Sequence, residues 1–186
     1  MRNALLAVAA LAAVACTSTG ATEERAAVAE AAPAVPVMQL AGSDGKTHTL
    51  NELVANGPVY LYFIKKDCPV NDKALPWYAK LYDGLKQPKA FVGVIHGDKA
   101  LYDSWKEQYP APYLVLFDTD KTWINHFKAE RSPWVVEVLK DGSTGKFWKG
   151  YSASAMAELD AALAKSEGVL SSGLDYSSLP EKNQYG

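Results

Sequence analysis

The chain has 186 residues, 48% of them hydrophobic and 11% aromatic, with 19 Lys and Arg against 21 Asp and Glu. This is apolar material for one domain with a core, and a net charge of −2 excludes the basic footprint of a nucleic-acid binder. Two cysteines exclude a disulfide-stapled scaffold and a Cys-rich zinc site.

Met1-Arg2-Asn3 is a short positive start, and Ala4 to Ala15 is an unbroken apolar run of 12 residues. A membrane-spanning helix takes roughly 20, so the run predicts a signal segment over 1–15. It ends in Ala13-Val14-Ala15-Cys16, which resembles a bacterial lipoprotein signal whose cysteine carries the lipid, although Ala13 stands where Leu is usual. The other reading is an ordinary signal peptide cut near Ala15 or Ala21. Both predict an extracytoplasmic, oxidising compartment, and lipidation of Cys16 predicts a membrane-anchored protein of the cell envelope. Residues 16–36, rich in Ala, Glu and Thr, form the expected tether. The folded domain is expected over 37–165, and 166–186 as a surface tail on which Leu170, Leu174, Tyr176 and Leu179 are the docking candidates.

Val37 to Leu40 is a short apolar stretch before the turn Ser43-Asp44-Gly45-Lys46. Leu50 to Ala55 predicts a short helix, and Pro58 to Ile64 a strand buried on both faces. Ala74, Leu75, Tyr78, Leu81, Tyr82 and Leu85 recur at helical steps. Phe91 to Ile95 is the next strand, Leu101, Trp105 and Tyr109 mark a helix, and Leu114 to Phe117 is a third strand before a short helix around Thr122 to Phe127. Trp134 to Leu139 and Gly145 to Lys149 form a hairpin about Asp141-Gly142, a pair that tolerates the positive φ of a tight turn. Met156, Leu159 and Leu163 mark the last helix. Strands alternating with helices predict an α/β domain whose central mixed sheet is flanked by helices.

The chemistry converges on Cys68, between the first central strand and the long helix. Pro69 suits the first helical position, where its missing N–H costs nothing. A sulfur there meets the positive end of the helix dipole and the free N–H groups of the first turn, which favour the attacking thiolate. Lys65 and Lys66 add positive charge and Asp67 opposes it. The opposing reading is a buried, inert cysteine. His96 ends a predicted strand on the same sheet edge, near Asp98, and reads either as a proton carrier beside the thiol or as a plain loop histidine. His48 and His126 have no metal-ligand spacing. No phosphate-binding Gly loop and no Ser-His-Asp pattern is present, so neither a metal nor another cofactor is expected.

Val59 to Pro76, with a hydrophobic strand, a polar loop, Cys68 and then a helix, resembles the active-site segment of thioredoxin-like proteins. Pro76 stands eight residues after the cysteine, as in thioredoxins. Arg131-Ser132-Pro133 before a Val-rich strand resembles their cis-proline loop, and Ser43 to Leu53 and Gly150 resemble further parts of the extracytoplasmic redoxins of thiol-specific-antioxidant and cytochrome-maturation type. The resemblance implies a thioredoxin-like fold with Cys68 and Pro133 at the reacting centre and Pro69, Asn71, Lys65 and His96 around it. Asn71 replaces the second cysteine of Cys-x-x-Cys, giving Cys-Pro-Val-Asn, and Tyr62 replaces a buried Asp. Lys65 and Leu61 stand where peroxiredoxins place Thr or Ser and Pro. Three functions follow as expectations: a one-cysteine thiol oxidoreductase acting on a disulfide protein or a peroxide with an external thiol reductant; an inactive binding module; and a one-cysteine peroxidase.

Overall fold

Six consecutive residues from Val59 to Ile64, all β-branched, aromatic or aliphatic, form strand β3 and are buried along their whole length. Alternate side chains of a strand point to opposite faces, so a strand of this composition requires cover on both sides. The rest of the architecture supplies it.

The computed structural model describes residues 38–109 and 111–186. The expected signal segment, the lipidation candidate Cys16 and the tether over 16–36 lie outside the described residues. The elements are β1 (Gln39–Gly42), β2 (Thr47–Thr49), α1 (Leu50–Val54), β3, α2 (Pro69–Gly84), β4 (Phe91–Ile95), α3 (Lys99–Lys106), β5 (Val115–Phe117), α4 (Thr122–His126), β6 (Trp134–Val138), β7 (Thr144–Lys149) and α5 (Ala153–Glu167). They form one mixed sheet in the order β2-β1-β5-β4-β3-β6-β7. β3, β4 and β5 are parallel, while β6 pairs antiparallel with β3 and β7 with β6 on one side, and β1 pairs antiparallel with β5 and β2 with β1 on the other. The fold is thioredoxin-like, as the sequence predicts.

Two apolar layers sandwich the sheet. Tyr60, Tyr62 and Ile64 of β3 face Ala74, Leu75, Tyr78 and Leu81 of α2, Tyr102 and Trp105 of α3, and Met156, Leu159 and Leu163 of α5. Val59, Leu61 and Phe63 face Leu50 and Val54 of α1, and Trp123 with Phe127 around α4. Local signals start the helices. A capping box joins Thr49 and Glu52 at α1, and the Asp98 and Ser152 side chains accept the Leu101 and Ala155 N–H groups at α3 and α5. At the hairpin, Gly142 has φ 81°, which suits the Asp-Gly turn.

Both ends of the domain add detail beyond the predicted elements. The residues after the Ser43–Lys46 turn form β2, which pairs with β1 and whose Thr47-His48-Thr49 carries no apolar strand pattern. Beyond α5 the chain packs back on the domain. Tyr176 and Leu179 are buried in the core and Leu174 partly so, while Leu170 stays 91% exposed.

One consequence of the topology positions the site. β3 and β6 are antiparallel, with Phe63 opposite Trp134, so the loop leaving β3 meets the loop entering β6. Cys68 sits in the first and Ser132-Pro133 in the second.

Leu61 is fully buried at the centre of β3. Leu61→Ala is expected to lower the unfolding free energy by about 2–5 kcal/mol, through lost transfer energy and the cavity left behind. Urea denaturation checks this, with the midpoint falling at an unchanged slope.

Candidate functional site

Cys68 is the N-cap of α2, with extended backbone at φ −99° and ψ 108°, and Pro69 takes the first helical position. Asp67 before it adopts a left-handed conformation at φ 61°, which turns the chain from β3 into the helix. Cys68 is buried, with the residue 3% exposed. Its one polar partner among the described residues is the Ser132 carbonyl, which accepts from Sγ–H at 3.6 Å. The Ser132-Pro133 peptide bond is cis.

The Ser132 hydroxyl joins three segments. It accepts the Lys65 backbone N–H at 3.3 Å, and its Oγ lies 2.9 Å from both the Phe63 carbonyl and Asn71 Oδ1, the two acceptors for its one proton. Asn71, three residues into the Cys-Pro-Val-Asn motif, is completely buried. Its Oδ1 also accepts the Tyr62 hydroxyl at 2.5 Å, and its amide nitrogen has no partner among the described residues. The residue in the second-cysteine position is thus a polar bolt between β3, the start of α2 and the loop before β6. Its hydrogen bonds run to Tyr62 and Ser132 and none runs to Cys68.

Tyr62 is equally buried and stacks on Tyr78 with ring centroids 4.2 Å apart. Burial pushes its phenol well above the ordinary tyrosine range, and the neighbouring Tyr113, Tyr78 and Cys68 push the same way. Where thioredoxins carry a buried acid, this chain carries a group that stays neutral and donates.

The flanking candidates lie on the surface. Lys65, Lys66, Asp67 and His96 are exposed. Lys65 and His96 line a cleft of about 390 Å³ together with Phe63, Lys128, Arg131 and Ser132. His96 makes no side-chain hydrogen bond among the described residues, so its place is the cleft wall. Trp134 is buried at the start of β6, with the Lys149 ammonium 5.0 Å from its ring centroid. His48 lies 3.0 Å from the Asp44 carboxylate, a hydrogen bond that holds the Asp44 carboxyl below its usual range. His126 packs edge-on against Phe127. Among the described residues no group of His, Cys, Asp and Glu is arranged to hold a metal ion.

Two participants escape the sequence reading. Ser132 appears there only as the neighbour of Pro133, because a serine before a proline carries no signal of what its hydroxyl reaches. Gly186 is the second. Its N–H donates to the Ser132 carbonyl at 2.9 Å, and its carbonyl accepts the Ser132 N–H at 3.2 Å. A Cβ built on Gly186 would stand 2.8 Å from Cys68 Sγ. The tail therefore lies directly over the sulfur.

The AhpC/TSA family profile matches residues 28–149. No curated protein sequence matches the chain. Among solved structures, the pneumococcal exposed lipoprotein thioredoxin Etrx1 from Streptococcus pneumoniae superposes with a TM-score of 0.58 at 20% identity, covering 69% of this chain and 98% of that one. A secreted Mycobacterium tuberculosis disulfide oxidoreductase homologous to E. coli DsbE gives 0.53 at 20%, over 68% and 94%. StoA from Bacillus subtilis gives 0.52 at 17%, over 62% and 89%. At these identities the likeness establishes the fold.

The buried phenols of Tyr62, Tyr78 and Tyr113 all titrate above their ordinary value in the folded chain, chiefly through burial. In the unfolded chain they lose their protons near 10. Below that pH both states hold the protons and stability is unaffected. Above it the unfolded state releases them first, so each tyrosine lowers stability by about 1.4 kcal/mol per pH unit. Urea denaturation across alkaline pH is expected to show this fall. Tyr62→Phe, which also removes the donor to Asn71, is expected to reduce the slope and to cost about 1–2 kcal/mol at neutral pH.

Proposed function

The chain belongs to the AhpC/TSA family, and from that premise we propose that it is a thiol–disulfide oxidoreductase of the cell envelope working through the single sulfur of Cys68. One observation carries the reading. Sγ stands at the N-terminus of α2 beside the Ser132 carbonyl, where the Ser132 backbone offers one N–H and one C=O to an extended polypeptide. Phosphate, metal or cofactor chemistry is not needed for this exchange.

In the forward step the Cys68 thiolate attacks one sulfur of a substrate disulfide. A new S–S bond joins Cys68 to that sulfur, the old S–S bond breaks, and the other sulfur leaves as a thiolate. Cys68 is the N-cap of α2, so the attacking sulfur lies at the positive end of that helix's dipole. Cys68 is the only cysteine among the described residues, and Asn71 occupies the second-cysteine position, so an external thiol must complete the cycle. That thiol attacks the mixed disulfide, pairs with the substrate sulfur and releases the Cys68 thiolate. Ser132 and Pro133 shape the wall against which substrate lies, Pro69 starts the helix, and Asn71 holds the motif to the wall. Lys65 and His96 line the adjoining cleft, from which Lys65 adds positive potential and His96 can supply the leaving thiolate with a proton.

The wider organisation is part of the same proposal. Residues 1–15 act as a signal, Cys16 carries the lipid, 16–36 form the tether, 37–165 the redox domain and 166–186 its tail. The apolar run before Cys16 supports this, and no helix among the described residues is long and apolar enough to cross a membrane. A solved structure of similar fold is described as an exposed lipoprotein thioredoxin, which is consistent with such a location. A second reading, a binding module without turnover, is favoured by the burial of Cys68 and by Asn71 held in two hydrogen bonds. A one-cysteine peroxidase is disfavoured by Lys65 and Leu61 in the positions that shape a peroxide site in peroxiredoxins.

The deciding experiment offers the protein a polypeptide carrying an activated aryl disulfide and weighs the product by intact-mass spectrometry. One adduct on Cys68, removed by glutathione and absent from Cys68→Ser, is expected. Failure of the folded protein to form any adduct would leave the binding-module reading. A single added oxygen on Cys68 after peroxide alone would move the chemistry to a sulfenic acid.

A further inference from the structure

The segment after α5 follows a continuous path back to the sulfur. Asp160 of α5 is buried, and its carboxylate accepts the Ser172 N–H at 2.8 Å, the Ser172 hydroxyl at 2.6 Å and the Tyr176 hydroxyl at 3.1 Å. The Tyr176 ring lies 6.0 Å from Trp77 of α2, and Leu179 is buried. The Pro180 carbonyl then accepts the Ala153 N–H at the start of α5. Up to this point the tail is fastened by buried side chains.

Beyond Pro180 the character of the attachment changes. Asn183, Gln184, Tyr185 and Gly186 are exposed and are held by polar contacts. Ser152 Oγ–H donates to Asn183 Oδ1 at 2.6 Å. Gln184 and Tyr151 exchange two backbone hydrogen bonds of 3.0 Å, and Gly186 and Ser132 exchange two more. The Arg131 guanidinium lies 5.0 Å above the Tyr185 ring. This is strand addition onto the loop edge at Ser132 and Tyr151. Two glycines permit it. A Cβ on Gly150 would stand 2.5 Å from the Gln184 carbonyl, and one on Gly186 would stand 2.8 Å from Sγ. A small residue directly over the sulfur is the closest cover that a backbone can provide.

We propose that residues 183–186 form a displaceable strap, which occupies the polypeptide-docking edge over Cys68 and must lift before the sulfur can react. The inference rests on the thiol-exchange reading for its purpose but not for its test. Hydrogen bonds at an exposed edge exchange readily for bonds to water, and a segment that buries little apolar surface opens at low free energy. The contacts of Ser172 and Tyr176 with buried Asp160, and the burial of Leu179, keep the strap tethered while it is open. An extended substrate chain that pairs with Ser132 takes the strap's place, so the docking edge holds either its own chain or a substrate.

The test compares the alkylation rate of Cys68 by iodoacetamide in the full chain and in a variant lacking residues 183–186. Thermal unfolding is followed in parallel. A cooperatively melting deletion variant that reacts at least ten-fold faster than the full chain is expected. Equal rates in the two folded proteins would overturn the strap. Should the deletion variant fail to fold, Gly186→Val decides, because its side chain cannot occupy the space above Sγ. Faster alkylation at an unchanged melting transition supports the strap, and an unchanged rate overturns it. Alkylation requires only access to the sulfur. If strap release accelerates alkylation while the aryl disulfide leaves no adduct on the deletion variant, the exchange reading falls and the strap stands.

Discussion

The hydroxyl of Ser132 is the joint on which the site depends. It meets the last residues of β3 through the Phe63 carbonyl and the Lys65 N–H, and the first turn of α2 through Asn71 Oδ1. Its own backbone supplies both the carbonyl beside Cys68 Sγ and the pair of hydrogen bonds that hold Gly186. The end of β3, the first turn of α2 and the loop before β6 are thus brought to one sulfur around one residue. A buried hydroxyl costs free energy unless it is partnered, and here it is partnered on every side. That makes the local geometry specific as well as tight.

Asn71 takes on a different meaning in this setting. As a substitution in a Cys-x-x-Cys motif it removes the second thiol. As a completely buried amide it replaces redox capacity with connection. Tyr62 complements it, because a neutral phenol donates where an ionised acid could only accept. The stack of Tyr62 on Tyr78, with Phe91 and Tyr113 around them, fixes the position of that donor from beneath. The aromatic layer of the core and the polar layer of the site are therefore one construction, and a change in either is felt in the other.

The tail shows how burial and accessibility are divided along a single segment. Side chains anchor it where Asp160, Tyr176 and Leu179 are covered. Backbone pairing alone, aided by Asn183 and Arg131, carries it across the sulfur. The first kind of attachment is strong and non-directional because it removes apolar surface from water. The second is directional and readily exchanged. Cys68 is consequently sheltered by the part of the molecule that is held least by its core.

Much of the fold was legible in the chain. β3 and β4 declare themselves by unbroken apolar runs, α2 and α5 by the helical recurrence of Leu75, Tyr78, Leu81, Met156, Leu159 and Leu163, and the hairpin by Asp141-Gly142. Cys68 was legible as the residue between a strand and a helix beginning with Pro69. These are local signals, set by the periods of strand and helix. β2, with the sequence Thr47-His48-Thr49, was not, because three polar residues at a sheet edge carry no apolar pattern. The partners of Asn71 and Ser132 were not legible either, since their bond spans 61 residues and leaves no mark on either neighbourhood. By itself the sequence determined the α/β order of elements, the cysteine at a helix start and the Asn in the second-cysteine position. Only the tertiary structure decided that Asn71 binds Tyr62 and Ser132, that His96 faces a cleft wall, and that Gly186 covers the sulfur, because those outcomes depend on antiparallel pairing of β3 with β6 and on the return path of the tail. Such contacts are chosen by satisfying buried and edge polar groups across the fold, and no local period encodes them.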